Sequence, residues 1–314
     1  MALNEIKKKI SSIQKTAQIT KAMKLVSTTK YNRIVTESAK YDEYAHKVRE
    51  MVSSVVKPEM LYDMQEVSSA NGGESDLINY HAMMHIRPVK KVGFLVITSD
   101  RGLAGNYNSA LIKDFQAFIK QFSKDQLEVL AIGRPIAKYC KSQGIHLAYE
   151  RYHLNDYPTF TEVQNIIRQA ISLFQDGSYD ELYLVYNYPV NVLVTERRIE
   201  KILPIGKDHM EEFHQDKQAG ISPQVLVEPD IDSVLDVILP LYAETQIYGA
   251  VIDAKTAEQA SRMQAMGQAT DNADQLISDL QQDYHHERQK RITNEIIEIT
   301  SGANAQEQDN ERRV

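Results

Sequence analysis

LNEIKKKISSIQKTAQITKAMKLVSTTKYNRIV, residues 3–35, decides the architecture. Its apolar residues recur at alternating spacings of three and four: Leu3, Ile6, Ile10, Ile13 and Ala17. A side chain recurring every 3.5 residues on average stays on one stripe of a supercoiling helix, so the spacing predicts one strand of a left-handed coiled coil. The same frame passes through polar Thr20, Lys24 and Ser27. It turns apolar or aromatic again at Tyr31, Ile34, Tyr41, Ala45, Val48, Val52 and Val55. A second stripe, Ile19, Met23 and Val26, lies beside the first where the first is polar. No Pro or Gly interrupts residues 1–57, and Pro58 ends the run, because proline removes a backbone donor and clashes with the preceding turn. At ~1.5 Å per residue such a helix spans about 80 Å, more than a compact domain uses.

The other end of the chain repeats the pattern. Met263, Met266, Thr270, Ala273, Ile277, Leu280 and Tyr284 keep the three-four spacing. The frame then crosses a polar belt, Glu287, Arg288, Gln289, Lys290 and Arg291, before Ile292, Ile296 and Ile299. Gly302 is a candidate C-terminal stop. The pattern begins before Pro240, since residues 232–239 also read as helical, so Pro240 is expected to kink this helix rather than start it.

Between the arms the period changes. KVGFLVITS (Lys91–Ser99) and Leu127–Ile132 read as buried strands. Glu181–Tyr188 and Val192–Leu203 alternate, with Pro189 between them as in a hairpin. Helical patterns fill Leu111–Phe122, Pro135–Gln143 and Thr161–Phe174. Strands alternating with helices predict an α/β, Rossmann-like, mostly parallel sheet with a later antiparallel hairpin. The expected organisation is a coiled-coil helix over 1–57, a variable connecting segment over 58–90 and a central α/β domain over 91–228. A second coiled-coil helix over 229–302, antiparallel to the first, and a polar, disordered tail over 303–314 complete it.

Composition narrows the functional classes. The 314 residues are 42% hydrophobic and 25% charged, with no Trp. Mean hydropathy is −0.42, and no apolar run approaches the ~20 residues of a membrane span. The start, MALNEIKKKI, lacks the apolar core of a secretory signal. One cysteine, Cys140, permits no internal disulfide and fits a reducing compartment. The net charge of −7 is uneven. Residues 1–35 carry eight Lys or Arg against Glu5 alone, whereas from Asp253 onward twelve Asp or Glu face seven Lys or Arg. A basic arm fits nucleic acid or an anionic surface, but the acidic C-terminal helix is an internal partner, and no nucleic-acid-binding motif accompanies the arm.

The loop SDRGLAG (Ser99–Gly105) follows the first strand and precedes a helix, where open α/β sheets bind nucleotides. It has neither the three glycines of GxGxxG nor the Lys-Ser/Thr of a P-loop, so a structural turn with special backbone angles at Gly102 and Gly105 is the expectation. An adaptor binding a nucleotide there is the alternative. His81 and His85 have the i, i+4 spacing of helical zinc sites but no intervening Glu. His285 and His286 read as solvated, and Cys140 as a packing residue. Neither a nucleophile elbow, a carboxylate pair nor a metal cluster is recognisable, so no cofactor and no catalytic residue are expected. The belt Glu287–Arg291 stays open between i, i+4 pairing with the basic helix and contact with a partner through the forked donors of Arg288 and Gln289.

Three segments resemble the gamma subunit of the bacterial F-type ATP synthase. They are KKISSIQKTAQITKAMKLVSTTKYNR (Lys8–Arg33), SDRGLAGNYN (Ser99–Asn108), and Ser261–Ala305 with RMQAMGQATDNA and RQKRITNEIIEITSGANA. Ala104 stands where the family usually has Cys, and His285 and Lys290 also depart from it. The resemblance implies a non-catalytic rotor, the central stalk within a hexamer of alpha and beta subunits, with the central domain near the epsilon subunit and the membrane ring of c subunits. It implies a peripheral place on the cytoplasmic side of the cell membrane, with neither a membrane span nor nucleic acid. It further implies that Met23, Arg262, Arg288, Gln289, Thr293 and Glu295 face beta and couple rotation to catalysis, and that Arg101, Gly102, Gly105 and Asn108 form the central-domain loop.

Overall fold

The computed structural model describes residues 3–56, 83–84, 87–206 and 228–311. Helix α1 (Leu3–Val55) is followed by β1 (Val92–Ile97), α2 (Tyr107–Ile119), β2 (Leu127–Ile132), α3 (Arg134–Gln143) and β3 (His146–Arg151). After these come α4 (Phe160–Gln175), β4 (Glu181–Pro189), β5 (Thr195–Leu203) and α5 (Ile231–Glu311). The chain forms two compact units, residues 1–26 with 263–314, and residues 27–262.

In the larger unit the sheet order is β3-β2-β1-β4-β5, parallel except for the antiparallel β4–β5 pair. Strand alternation sorts the apolar residues between two faces. Leu95, Ile97, Leu130, Ile132 and Leu184 point to one core with Val48 and Val52 of α1, Ile166 and Phe174 of α4, and Leu239 and Ile247 of α5. Phe94, Val96, Val129 and Ala131 point to the other, with Phe115 of α2 and Ile136 of α3. Burial on both faces explains why β1 and β2 read as unbroken apolar runs. The edge strand β3, HLAYER, is only half-buried, and its mixed composition gives no apolar run to find.

Local signals set the helix starts. Thr159 caps α4 by accepting from the Glu162 amide at 3.4 Å, and Asp230 caps α5 through the Ser233 amide at 2.8 Å, each satisfying an orphan donor of the first turn. Helix α5 passes through Pro240 without interruption and continues beyond Gly302 to Glu311. Gly302 is therefore not the expected stop. It lacks a positive φ, and the following Ala303, Ala305, Gln306 and Glu307 are strong helix formers. The expected disordered tail is helical as far as Glu311. The His81–His85 pair and most of the connecting segment lie outside the described residues.

In the smaller unit α1 and α5 run antiparallel. The Thr20 and Thr270 hydroxyls are 2.8 Å apart, the Lys24 side chain lies along Gly267, and Leu3 and Asn4 border a groove with Glu287, Asn294 and Glu298. Buried Ile6, Ala17, Met266 and Ala273 continue the seam. Where the first frame turns polar, Thr20 is buried, as is Ser27 at the start of the larger unit, while Lys24 is exposed; of the second stripe Met23 is half-buried and Ile19 and Val26 are more than half exposed. In the larger unit the same polarity holds, with Tyr41 donating to the Thr245 carbonyl and stacking edge-on against Tyr248 at 4.8 Å.

Candidate functional site

Strand order reverses between β1 and β4, and ligands of open α/β sheets enter the crevice at that point. Here the crevice is filled from within the chain. Asn187 at the end of β4 is buried and donates to the Tyr107 carbonyl at 3.3 Å. The Tyr107 hydroxyl donates to the Ala254 carbonyl of α5 at 2.8 Å, and burial pushes its ionisation up. Ala104, Tyr107 and Ala257 close into a small apolar cluster.

The loop after β1 is stitched internally. Asn108 accepts from the Ser99 amide at 2.9 Å and returns a bond to the Ser99 carbonyl. The Ser99 hydroxyl donates to the Arg101 carbonyl at 2.6 Å. Gly105 takes the expected positive φ of 59°, but Gly102 does not; Leu103, at 62°, is the second left-handed residue. Asp100 accepts from the Arg134 amide at 3.0 Å and the His153 amide at 2.6 Å. Its carboxylate thus occupies the first-turn donor of α3 that a bound phosphate would use.

Arg262 is buried, and it joins this loop rather than standing on a surface. Its guanidinium reaches the Gly102 and Arg101 carbonyls at 3.4 Å each and the Glu258 carboxylate at 2.7 Å. Lys255 completes the row, 3.3 Å from Glu258 and 3.4 Å from the Leu154 carbonyl. Nearby, Asp156 binds Lys30 at 2.6 Å and Arg101 at 2.9 Å. Burial pulls the Asp156 carboxyl upward, but Lys30, Arg101 and Lys255 outweigh it and hold it below its usual range. The structure therefore brings Arg262 together with Arg101 and Gly102. Asn108 supports the same loop, and Gly105 shapes it.

The remaining residues singled out from sequence lie in the other unit. Met23 is half-buried, and Arg288, Gln289, Thr293 and Glu295 are exposed on α5. The Thr293 hydroxyl donates to the Gln289 carbonyl at 3.0 Å. Glu295 pairs with Arg291 at 2.9 Å within the same helix. Ile292, Ile296, Ile297 and Ile299 are 44–73% exposed.

A cleft of about 680 Å³ in the larger unit was invisible in the sequence; its lining includes Tyr41, Asp42, Tyr186, Arg198, Glu200 and Asp253. Burial, then the Asp42 charge, push the Asp253 carboxyl up to about 7 against the pull of Arg198. Arg198 lies 3.3 Å over the Tyr188 ring. Cys140 is buried, which pushes its thiol up to about 12 and leaves no thiolate at neutral pH. His285 and His286 are exposed. Among the described residues no group of three His, Cys, Asp or Glu is arranged to hold a metal, and no helix is long and apolar enough to cross a membrane.

A family model described as ATP synthase matches residues 2–306. The ATP synthase gamma chain of Lacticaseibacillus paracasei is 44% identical over 310 residues, covering 98% of this chain and 99% of the relative. That of Enterococcus faecalis is 43% identical over 308 residues, with the same coverage. Among solved structures, a chain of the Euglena gracilis mitochondrial ATP synthase (OSCP/F1/c-ring) shares the fold with a TM-score of 0.64 at 16% identity. That match covers 96% of this chain and 94% of the other.

Proposed function

The chain belongs to the gamma-chain family of ATP synthases, and on that premise we propose that it is the rotating central-stalk subunit of an F-type enzyme, coupling proton flow through the membrane ring to ATP synthesis or hydrolysis on the beta subunits. In this reading the chain is not itself catalytic. Its partners are the alpha and beta subunits, the epsilon subunit and the ring of c subunits, and it lies peripherally on the cytoplasmic side of the cell membrane. Helices α1 (Leu3–Val55) and α5 (Ile231–Glu311) are the shaft helices, and the central domain assigned to residues 91–228 meets epsilon and the ring.

The observation that carries the reading is the end of α5. Four isoleucines stand bare beside exposed Arg288 and Gln289, and each retains on the order of 1 kcal/mol of burial that only another surface can supply. Polar and apolar groups interleaved on one helix suit a shaft that meets a series of partner conformations. Guanidinium and amide can bond to one state and exchange to water in the next, so the contact free energy differs between states, and that difference is what coupling requires. Met23, Arg288, Gln289, Thr293 and Glu295 are assigned to this contact. Arg262, which the resemblance places with them, is engaged by the chain's own loop.

Purification of the native complex tests the reading. Alpha, beta and epsilon chains are expected to co-elute with this chain, and the isolated chain is expected to hydrolyse no ATP. Turnover that survives removal of every beta subunit would overturn the assignment.

A further inference from the structure

Lys255, Glu258 and Arg262 lie one turn apart along α5, and all three are buried. Each buried charge costs several kcal/mol unless it is paired and its remaining hydrogen-bonding capacity is met. Both conditions hold. Glu258 takes Lys255 on one oxygen and Arg262 on the other. The spare donors go to backbone carbonyls on two different connections, Leu154 between β3 and α4, and Arg101 and Gly102 between β1 and α2. Asp156 then ties those two connections together through Arg101, and ties both to α1 through Lys30. Two helices and two loops are closed into one ionic network.

Apolar packing alone would seat α5 on the sheet at lower desolvation cost, since replacing buried ion pairs by hydrophobic residues is often neutral or stabilising. What apolar packing lacks is direction. Hydrogen bonds weaken steeply once their angle is lost, so a helix held by the Arg262 fork to one loop and the Lys255 ammonium to another resists turning about its own axis. Apolar contacts resist turning only through the fit of the packed side chains.

We propose that Lys255, Glu258, Arg262 and Asp156 form a torsional clamp, a set of positioning residues that locks α5 against rotation relative to the five-stranded domain and so carries torque between them. The clamp rests on the rotor reading. It accounts for the loop Ser99–Asn108 without a ligand, as the domain's half of the joint. It also gives Arg262 a part in coupling that needs no contact with a neighbouring subunit.

The test uses the whole enzyme in inverted membrane vesicles, carrying Glu258→Gln or Asp156→Asn. Among the described residues Asp156 hydrogen-bonds to Lys30 and Arg101, both of which keep some exposure, so its variant is expected to keep the fold even if Glu258→Gln impairs it. ATP hydrolysis and proton pumping are measured on the same vesicles, with and without an opposing proton gradient. Without load, hydrolysis per assembled complex is expected to stay within about twofold of wild type. Under load, protons pumped per ATP are expected to fall about threefold or more, because the helix turns while the domain lags. A residue that serves stability alone would lower the amount of complex, and hydrolysis and pumping would fall together at an unchanged ratio. An unchanged ratio under load in a fully assembled Asp156→Asn enzyme overturns the clamp. Failure of the rotor reading looks different, as a chain absent from the purified complex.

Discussion

Asp253 gives the sharpest quantitative expectation. Its carboxyl lies in the cleft beside Asp42 and Glu200, with Arg198 the nearby cation, and ionises near about 7 instead of its ordinary 3.8. Between these two values the folded chain holds the proton and the unfolded chain does not. The wild type therefore loses stability as pH rises through that window, and loses no more once pH exceeds the folded value. Each pH unit inside the window corresponds to about 1.4 kcal/mol, which sets a ceiling of about 4 kcal/mol across it. Asp253 keeps some exposure, so solvent and side-chain relaxation reduce the observable part to roughly 1–2 kcal/mol between about pH 5 and pH 8. Asp253→Asn removes the titration and keeps the shape. Urea unfolding of the full chain, followed by circular dichroism at both pH values, measures the difference. The variant is expected to gain on the wild type by that amount on going from pH 5 to pH 8. An advantage that is the same at both values, or that shrinks as pH rises, refutes the desolvation account.

Three further outcomes are expected. Gly133→Ala places a Cβ 2.4 Å from the Thr98 carbonyl oxygen at a φ of +94°, so the sheet should lose about 3 kcal/mol or more, read as a lower urea midpoint. Arg288→Ala with Gln289→Ala truncates exposed side chains and should change stability by only about 0.5 kcal/mol. It should nevertheless lower ATP turnover and proton pumping of the assembled enzyme, and unchanged values for both would leave the pair as ordinary surface. In a Cys140→Ala background, Ala17→Cys should crosslink to Ala273→Cys, its counterpart in the register set by Thr20 and Thr270, and not to Leu239→Cys; the reverse result breaks the antiparallel pairing.

The helices and the buried strands were legible because each obeys one period over its whole length. β1 and β2 are apolar on both faces, and α1 keeps a three-four spacing past its polar stretch. The misses have local causes. β3 is an edge strand of mixed composition and only half-buried, so nothing marks it in isolation. Ile19 and Val26 look like the natural heirs of the seam beside Thr20 and Ser27, yet the Thr20 and Thr270 hydroxyls meet across a close helix pair and also bond to carbonyls of their own helices, so Ile19 and Val26 are left outside while Met23 is half-buried. Gly302 carries the residue type of a stop without the backbone angle of one. The Glu258–Arg262 pair is readable as an i, i+4 contact, but its tie to Arg101 and Gly102 spans about 160 residues and follows only from the fold.

The carboxylate of Asp100 has a consequence for how such a subunit lives among nucleotides. It is a competitor that never dissociates, built into the loop next to the α3 amide it occupies. Tethering of this kind gives a group an effective concentration in the millimolar range or above, and its charge repels a phosphate besides. A nucleotide arriving from solution would have to expel a ligand that has nowhere to go. The first turn of α3 is thereby closed to a phosphate from solution.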